Sequence, residues 1–348
     1  MDPTQFARQF SPEVVNTKEA GIEIGLLKNR INIEASYYHQ KNTDQIVNVN
    51  ISNTTGFTNL IRNAAAFTNK GLELDLKLNP LVRIKDVDIN VRANYTHQTS
   101  KISSIFPGIN EIGIGSNNYI ITGQSAYVFK LTDYVRDDQG RVIVDANTGM
   151  PTIDPNLKMF GKTTPDNIVG ITLNIVWKNL SLTAVGDYRT GNQFLADQLG
   201  TFLDDNGISA RSAANGRRAF VFPNSVYDDG TGKYVVNTDV YTQNYGRLFY
   251  NTDLNTGVQT NYLTDGSFWK LRELSLGYSF PASIFANSRS IKGVTIGITA
   301  RNLITWLPKS NVYTDPEFSA GTGNAQGSST AAQLPPTRIF GANVVFQF

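Results

Sequence analysis

The feature that most constrains this chain is the rhythm of its connections. Stretches that alternate apolar and polar residues with a period of two recur along its 348 residues. Such alternation is the mark of a strand with one greasy face. Thr17–Leu27 sets Ile22, Ile24 and Leu26 against Glu23 and two glycines. Arg30–Asn42 sets Ile31, Ile33, Ala35 and Tyr37 against Asn32, Glu34 and Ser36. Lys70–Leu78 is the cleanest case, with Leu72, Leu74, Leu76 and Leu78 against Glu73, Asp75 and Lys77. Val87–Ser100, Val169–Trp177, Leu180–Arg189, Ser267–Phe280, Val294–Arg301 and Arg338–Phe348 follow, the stretch at 267–280 with less regular alternation. The links between them go short, long, short, long: Lys28-Asn29, then 43–69, 79–86, 101–167, Lys178-Asn179, 190–265, 281–293 and 303–338. Residues 43–66 are rich in Asn and Thr and read as a loop, with a short strand possible at Ile46–Ile51. Short turns at one end and long loops at the other are the pattern of a membrane β-barrel. Structureless loops of this length are uncommon in a compact soluble domain.

The last stretch sharpens the reading. Counting back by twos gives Phe348, Phe346, Val344, Ala342 and Phe340, all apolar. A soluble chain end tends to fray. A final strand hydrogen-bonded into a closed wall, with its outer face against lipid, can end on such residues. Phe340, Val344, Phe346 and Phe348 are therefore the candidate barrel-assembly strand.

Composition excludes several classes. A net charge of +2 points neither to nucleic acid nor to an acidic surface. With no cysteine and only His39 and His97, disulfide frameworks, thiolate metal sites and His-rich catalytic clusters are ruled out. No run of apolar residues is long enough for a spanning helix, and alternating strands are compatible with a mean hydropathy of −0.24. No phosphate-binding glycine loop, Ser-His-Asp order or catalytic carboxylate pair stands out, so no enzyme, cofactor or metal is expected. Met1–Phe10 has no apolar signal region, which leaves either a cytosolic protein or the tail of a longer exported chain.

Aromatic positions supply a second check. Tyr37, Tyr95 and Tyr188 each lie on an apolar face, roughly seven to eight residues beyond a short turn. At a tilt near 40° that is about 20 Å up the membrane normal, the far edge of an apolar band about 25 Å tall. Trp177 sits beside its turn at the near edge. These four are the candidate aromatic girdle. About nine strands that begin outside cannot make a complete even-stranded barrel. The expected fold class is all-β, an antiparallel transmembrane β-barrel with long extracellular loops.

Five motifs carry a family likeness: Asn69–Leu74 (NKGLEL), Phe268–Tyr278 (FWKLRELSLGY), Ala300–Leu303 (ARNL), Asp315-Pro316-Glu317 (DPE) and the Leu334–Arg338 run into the final Phe strand. With them the chain resembles the C-terminal barrel region of TonB-dependent outer-membrane receptors of the SusC/RagA type. The resemblance implies a barrel of about 22 strands around a plug. It also implies location in the outer membrane, a periplasmic TonB complex as energy source, a SusD-like lipoprotein lid, the barrel-assembly machinery as folding partner, and glycan oligosaccharides or peptides as cargo. Residues 1–16 are then a linker or partial extracellular loop, and residues 17–348 barrel strands and loops. The plug, signal peptide and TonB-contacting segment would lie before residue 1. The alternatives are an autonomous small outer-membrane barrel, with an extra strand from Ile46–Ile51 or Met1–Phe10, and a soluble carbohydrate-binding β-sandwich.

Other motifs carry less. Asp137–Gly140 and Asp145–Asn147 do not keep calcium-loop spacing and read as solvated turns, as does Tyr227–Gly230. Glu73, Asp75, Lys77, Arg92, Asp187 and Arg189 form a polar set that would face the lumen, mainly for charge pairing with a plug. His39 and His97 fall on different strands near the outer rim.

Overall fold

The computed structural model describes residues 4–51, 53–288, 290–319, 326–332, 334 and 336–348. Its frame is a sheet of nine long strands: β1 (Val14–Leu26), β2 (Ile31–Asn50), β3 (Asn59–Ile84), β4 (Val87–Ile105), β5 (Asn167–Trp177), β6 (Leu180–Thr190), β7 (Phe268–Ser279), β8 (Gly293–Trp306) and β9 (Ile339–Gln347). Each pairs with its neighbours in sequence, and all eight pairings are antiparallel. A short strand, Thr4–Phe6, lies parallel to the start of β3, and Ser11 bonds Asn63, so residues 4–16 are in contact with the wall and include the start of β1. Met1–Pro3 lie outside the described residues, as does Pro335 of the Leu334–Arg338 run.

Register converts the alternation into two chemically distinct surfaces. Ile22, Ala35, Leu74, Tyr95, Val169, Tyr188, Trp269 and Trp306 stand side by side across eight strands. One residue along, the adjoining row reads Glu23, Glu34, Asp75, Asn94, Gly170, Asp187, Lys270 and Thr305. Successive side chains point to opposite faces, so the first row belongs to the apolar face and the second to the polar one. A slip of one residue would invert every strand.

Three expectations about strand ends need correction. Residues 43–66 are not mainly loop: β2 runs on to Asn50 and β3 starts at Asn59, and they pair as far as Asn50↔Asn59 past irregularities around Asn42–Ile46. Asn/Thr-rich sequence hides this extension because its support is tertiary, with Val49 packed among Ala64, Ala65 and Ile102. The connection at 79–86 shrinks to Lys85-Asp86, since β3 continues to Ile84 and resumes pairing at Val82↔Ile89. Val87–Ser100 likewise lengthens to Ile105.

The long insertions differ most from their polar appearance. Among the described residues Phe129, Leu131, Phe194, Leu195, Ala196, Val226, Phe249, Val258 and Tyr262 are the fully buried apolar side chains, and all lie in residues 106–267. Tyr134, Val142, Val144, Phe222, Phe249 and Val258 form one core, with Tyr134 edge-on to Phe222 at 5.2 Å. Phe129, Leu131, Leu195 and Tyr262 form another, joined by Tyr313 from the third insertion. The first two insertions are also stitched by backbone, Ser225-Val226 running parallel to Val142-Ile143. Helices such as Asp197–Asp205 complete this cap.

If the Leu-bearing face of β3 meets lipid, Leu74→Arg costs about 2–4 kcal/mol near mid-bilayer, whereas Glu73→Arg on the opposite face stays within about 0.5 kcal/mol. Denaturant unfolding of the full-length barrel in lipid vesicles measures both. Equal costs would contradict the assignment of faces.

Candidate functional site

The polar face of β6 and β7 carries an ion network that joins wall to cap. It begins with a bulge. Val185 faces Glu273 but Gly186 faces Leu271, so β7 has one residue more than its partner. A bulge re-aims side chains. Here it brings Arg272 to the polar side, directly before Glu273, which pairs with Arg301 at 3.1 Å. The Arg272 guanidinium donates from Nε and Nη2 to the Asp187 carboxylate at 2.5 and 2.8 Å. It also donates from Nη1 and Nη2 to Glu317 at 2.5 and 2.6 Å. Arg189 reaches Glu317 at 2.9 Å, and Lys270 pairs with Asp315 at 2.5 Å and with Glu317.

Lys270 and Asp315 side chains are each only 5% exposed. Removing such charges from water is costly unless each finds several partners. Three cations (Arg189, Lys270, Arg272) face three anions (Asp187, Asp315, Glu317), so the cluster is balanced. Burial alone would raise the Glu317 pKa, but hydrogen bonds from Arg272 and Lys270 outweigh it and bring the carboxyl down to about 2. The network therefore explains two of the sequence motifs at once. FWKLREL supplies two of the cations, DPE two of the anions, β6 the remaining pair, and the Asp315–Glu317 segment is held against the polar face. A cavity of about 640 Å³ lies there, bordered by Lys270, Arg272, Tyr313, Asp315, Glu317 and Arg338.

A second polar cluster lies on β2–β4. Lys77 pairs with Glu34 at 2.6 Å and Asp75 at 3.5 Å, and Arg92 pairs with Asp75 at 2.9 Å. The six residues singled out as a polar set thus fall into two clusters, with Asp187 and Arg189 in the first, Asp75, Lys77 and Arg92 in the second, and Glu73 beside it. The glycine of NKGLEL has a local reason. Gly71 faces Tyr38 across the β2–β3 ladder, and a Cβ at residue 71 would come within 2.5 Å of the Tyr38 ring.

The aromatic candidates fall on the apolar face at distinct levels. Tyr95 and Tyr188 share a row with Trp269 and Trp306, and Tyr188 stacks on Trp269 at 4.5 Å. Tyr37 lies two residues nearer the long loops, opposite Leu72, and is 52% exposed. Trp177 lies at the short-turn end opposite Leu180 and Val87, and is 53% exposed. The sequence pattern hides Trp269 because the bulge at Arg272 reverses the parity of β7 midway, and Trp306 because β8 runs on to residue 306, past the expected end at Arg301 and into the expected 303–338 loop. Phe340, Val344 and Phe346 project from β9 beside Ala300, Ile296 and Val294, and Phe348, just past the strand, is 85% exposed.

The remaining motifs resolve into local structure. Asp137 Oδ1 accepts from the backbone amides of Gln139 and Arg141, and Asp145 Oδ1 from those of Asn147 and Thr148. Asp228 Oδ1 accepts from Gly230 and Gly232. These carboxylates are turn formers. Among the described residues no cluster of His, Asp and Glu could hold a metal ion. His97 Nδ1 and Tyr95 Oη both meet Asn167 Oδ1, at 2.9 and 2.8 Å.

Comparison with known proteins agrees with the geometry. Residues 2–150 match the family described as TonB dependent receptor-like, beta-barrel. The chain is 23% identical to TonB-dependent receptor P26 of Formosa agariphila, over 96% of its length and 34% of that protein. It is 24% identical to TonB-dependent receptor SusC of Bacteroides thetaiotaomicron, over 92% of its length and 31% of that protein. Residues 2–150 thus match a TonB-dependent receptor β-barrel, and the relatives extend that likeness over most of the chain. Its similar proteins over most of its length are of the SusC/RagA kind, so the part it matches is a segment of an outer-membrane β-barrel. The fold matches the RagAB peptide importer in its closed-closed state with a TM-score of 0.71 at 22% identity, over 97% of this chain and 35% of that one. The chain spans about a third of the length of the curated relatives it matches.

The network makes a pH prediction for the receptor barrel. Because the folded Glu317 pKa lies below that of a free glutamate, the tether is at full strength above the unfolded value of about 4.3. It weakens as pH falls toward about 2. Limited proteolysis of the 307–338 insertion should show protection from neutral pH down to about pH 4. Glu317→Ala, which leaves Arg272 and Lys270 short of a partner, should abolish that protection at pH 7 at a cost of about 3 kcal/mol or more. Unchanged protection in the variant would contradict the tether.

Proposed function

We propose that this chain supplies the C-terminal wall and extracellular cap of a TonB-dependent importer that takes up oligosaccharides or peptides. One observation carries the reading: the long loops fold as a cored cap whose third insertion is ion-paired to the polar face of the wall. A cap fixed this way presents shaped surface over the lumen, which cargo recognition needs and a simple water-filled pore does not. The open edges of β1 and β9 support further strands beside them, because lipid tolerates no unpaired sheet edge. Residues 14–348 would then be wall and loops, the residues before Val14 the entry from a preceding extracellular loop, and the plug and TonB-contacting parts would come from the remainder of a receptor of the relatives' length.

In this account Tyr37, Tyr95, Tyr188 and Trp177, joined by Trp269 and Trp306, form interfacial belts where amphipathic rings suit the headgroup region. Phe340, Val344, Phe346 and Phe348 present the closing strand to the barrel-assembly machinery. The cap is the natural seat for a SusD-like lipoprotein. Cargo of the glycan or peptide class is suggested by the relatives' names, SusC and the RagAB peptide importer.

Uptake of fluorescent oligosaccharides and oligopeptides by cells bearing the full-length receptor tests this. Import should require both the receptor and TonB, and antibodies to the 197–262 insertion should label intact cells. Receptor-dependent uptake that persists without TonB would favour the passive-pore alternative.

A further inference from the structure

The apolar face carries a feature that neither the lumen nor the cap uses. On the long-loop side of Tyr37, the outward positions of β1–β4 become basic. Lys18, His39 and Lys70 stand side by side in one row, which ends at Thr99. The next row reads Asn16, Lys41, Thr68 and Lys101. At about 4.8 Å between strands and about 6.7 Å between alternate residues, five basic side chains are rooted in a patch of about 15 by 7 Å. All five are exposed, and no acidic side chain is interleaved in either row. Among the described residues, none of the four lysines has an ion-pair or hydrogen-bond partner for its ammonium group. The patch borders a groove of about 520 Å³ lined by His39, Lys70, Lys101 and the 123–125 segment.

The four lysines gather with no acidic side chain in either row, Lys18 and Lys70 flanking His39 and Lys41 and Lys101 flanking Thr68. A solvated surface would disperse them or alternate their signs, as the polar face of this sheet does with Lys77, Asp75 and Arg92. The patch also continues the lipid-facing surface, starting where the aromatic level of Tyr37 ends. A long lysine there can lie along apolar surface and lift its charge into the headgroup layer. We infer that Lys18, His39, Lys41, Lys70 and Lys101 form a docking surface for the phosphate groups of an outer-leaflet glycolipid, whose acyl chains would lie on the Leu72–Leu78 face below. Charge complementarity relieves the repulsion within the patch, and the adjoining apolar band accommodates the tails. The inference rests on the orientation proposed above, with the long loops outside.

The test uses the full-length receptor purified in detergent and reconstituted in nanodiscs, with lipid A and its dephosphorylated form as probes in native mass spectrometry. The wild type should retain phosphorylated lipid A at least about tenfold better than the dephosphorylated form, given several basic residues near one anionic headgroup. The K18Q/K41Q/K70Q/K101Q variant should lose that preference while keeping its heat-modifiable barrel on gels, since these side chains support no contact within the wall. Equal retention of both probes by the wild type, or an undiminished preference in the variant, would overturn the inference. Antibody labelling of intact cells reads the orientation separately, so failure of that reading and failure of lipid docking are distinguishable.

Discussion

The backbone ladder governs this structure. Inside a bilayer every amide and carbonyl must find a protein partner. A meander in which each strand pairs only with its sequence neighbours does this with short turns at one end. Once the register is set, the side chains have no freedom to choose faces. Ile22, Ala35, Leu74 and Tyr95 lie together because Glu23, Glu34, Asp75 and Asn94 lie together one residue away. Hydrophobic burial between protein layers, the usual organiser of a soluble domain, plays little part in the wall. It acts in the loops, where three insertions converge on Phe129, Leu195, Tyr262 and Phe249.

Two kinds of physics therefore meet at the rim. Below it, the wall is held by hydrogen bonds and by the match of its apolar face to lipid. Above it, the cap is held by aromatic packing and by buried polar clusters such as Asp204 with Arg211, Asn255 and Tyr262. The Asp187–Arg272–Glu317 network couples them. Its members come from two adjacent strands and one loop, and a single bulge places the central guanidinium. Bidentate pairing fixes direction as well as distance. The cap is thereby given a defined seat on the wall.

Much of the wall was legible in the sequence. Leu72–Leu78 and Val169–Trp177 alternate cleanly because each position sees only lipid or lumen, and the pattern of short and long connections follows from a meander. Legibility failed where tertiary contacts overrode pattern. The 43–66 region reads as loop because Asn and Thr dominate it, yet Val49 and Ala64 give it a core. Trp269 was invisible as a member of the aromatic row because the Arg272 bulge breaks the period of β7, and Trp306 because β8 extends beyond its clean alternation at 294–301. The cap is not legible in the sequence because its apolar residues have no periodicity and find one another only in three dimensions. The DPE and FWKLREL motifs were recognisable as words, but nothing in either word says that they pair.

The central claim is that the period-two faces of the sheet look one toward lipid and one toward water. The chain has no native cysteine, so single cysteines at positions 72 to 78 of the full-length receptor can be spin-labelled in bilayers. Accessibility to oxygen and to a water-soluble nickel chelate should then alternate residue by residue. The account predicts oxygen maxima at positions 72, 74, 76 and 78 and nickel maxima at 73, 75 and 77. An absent alternation, or the opposite phase, would contradict it.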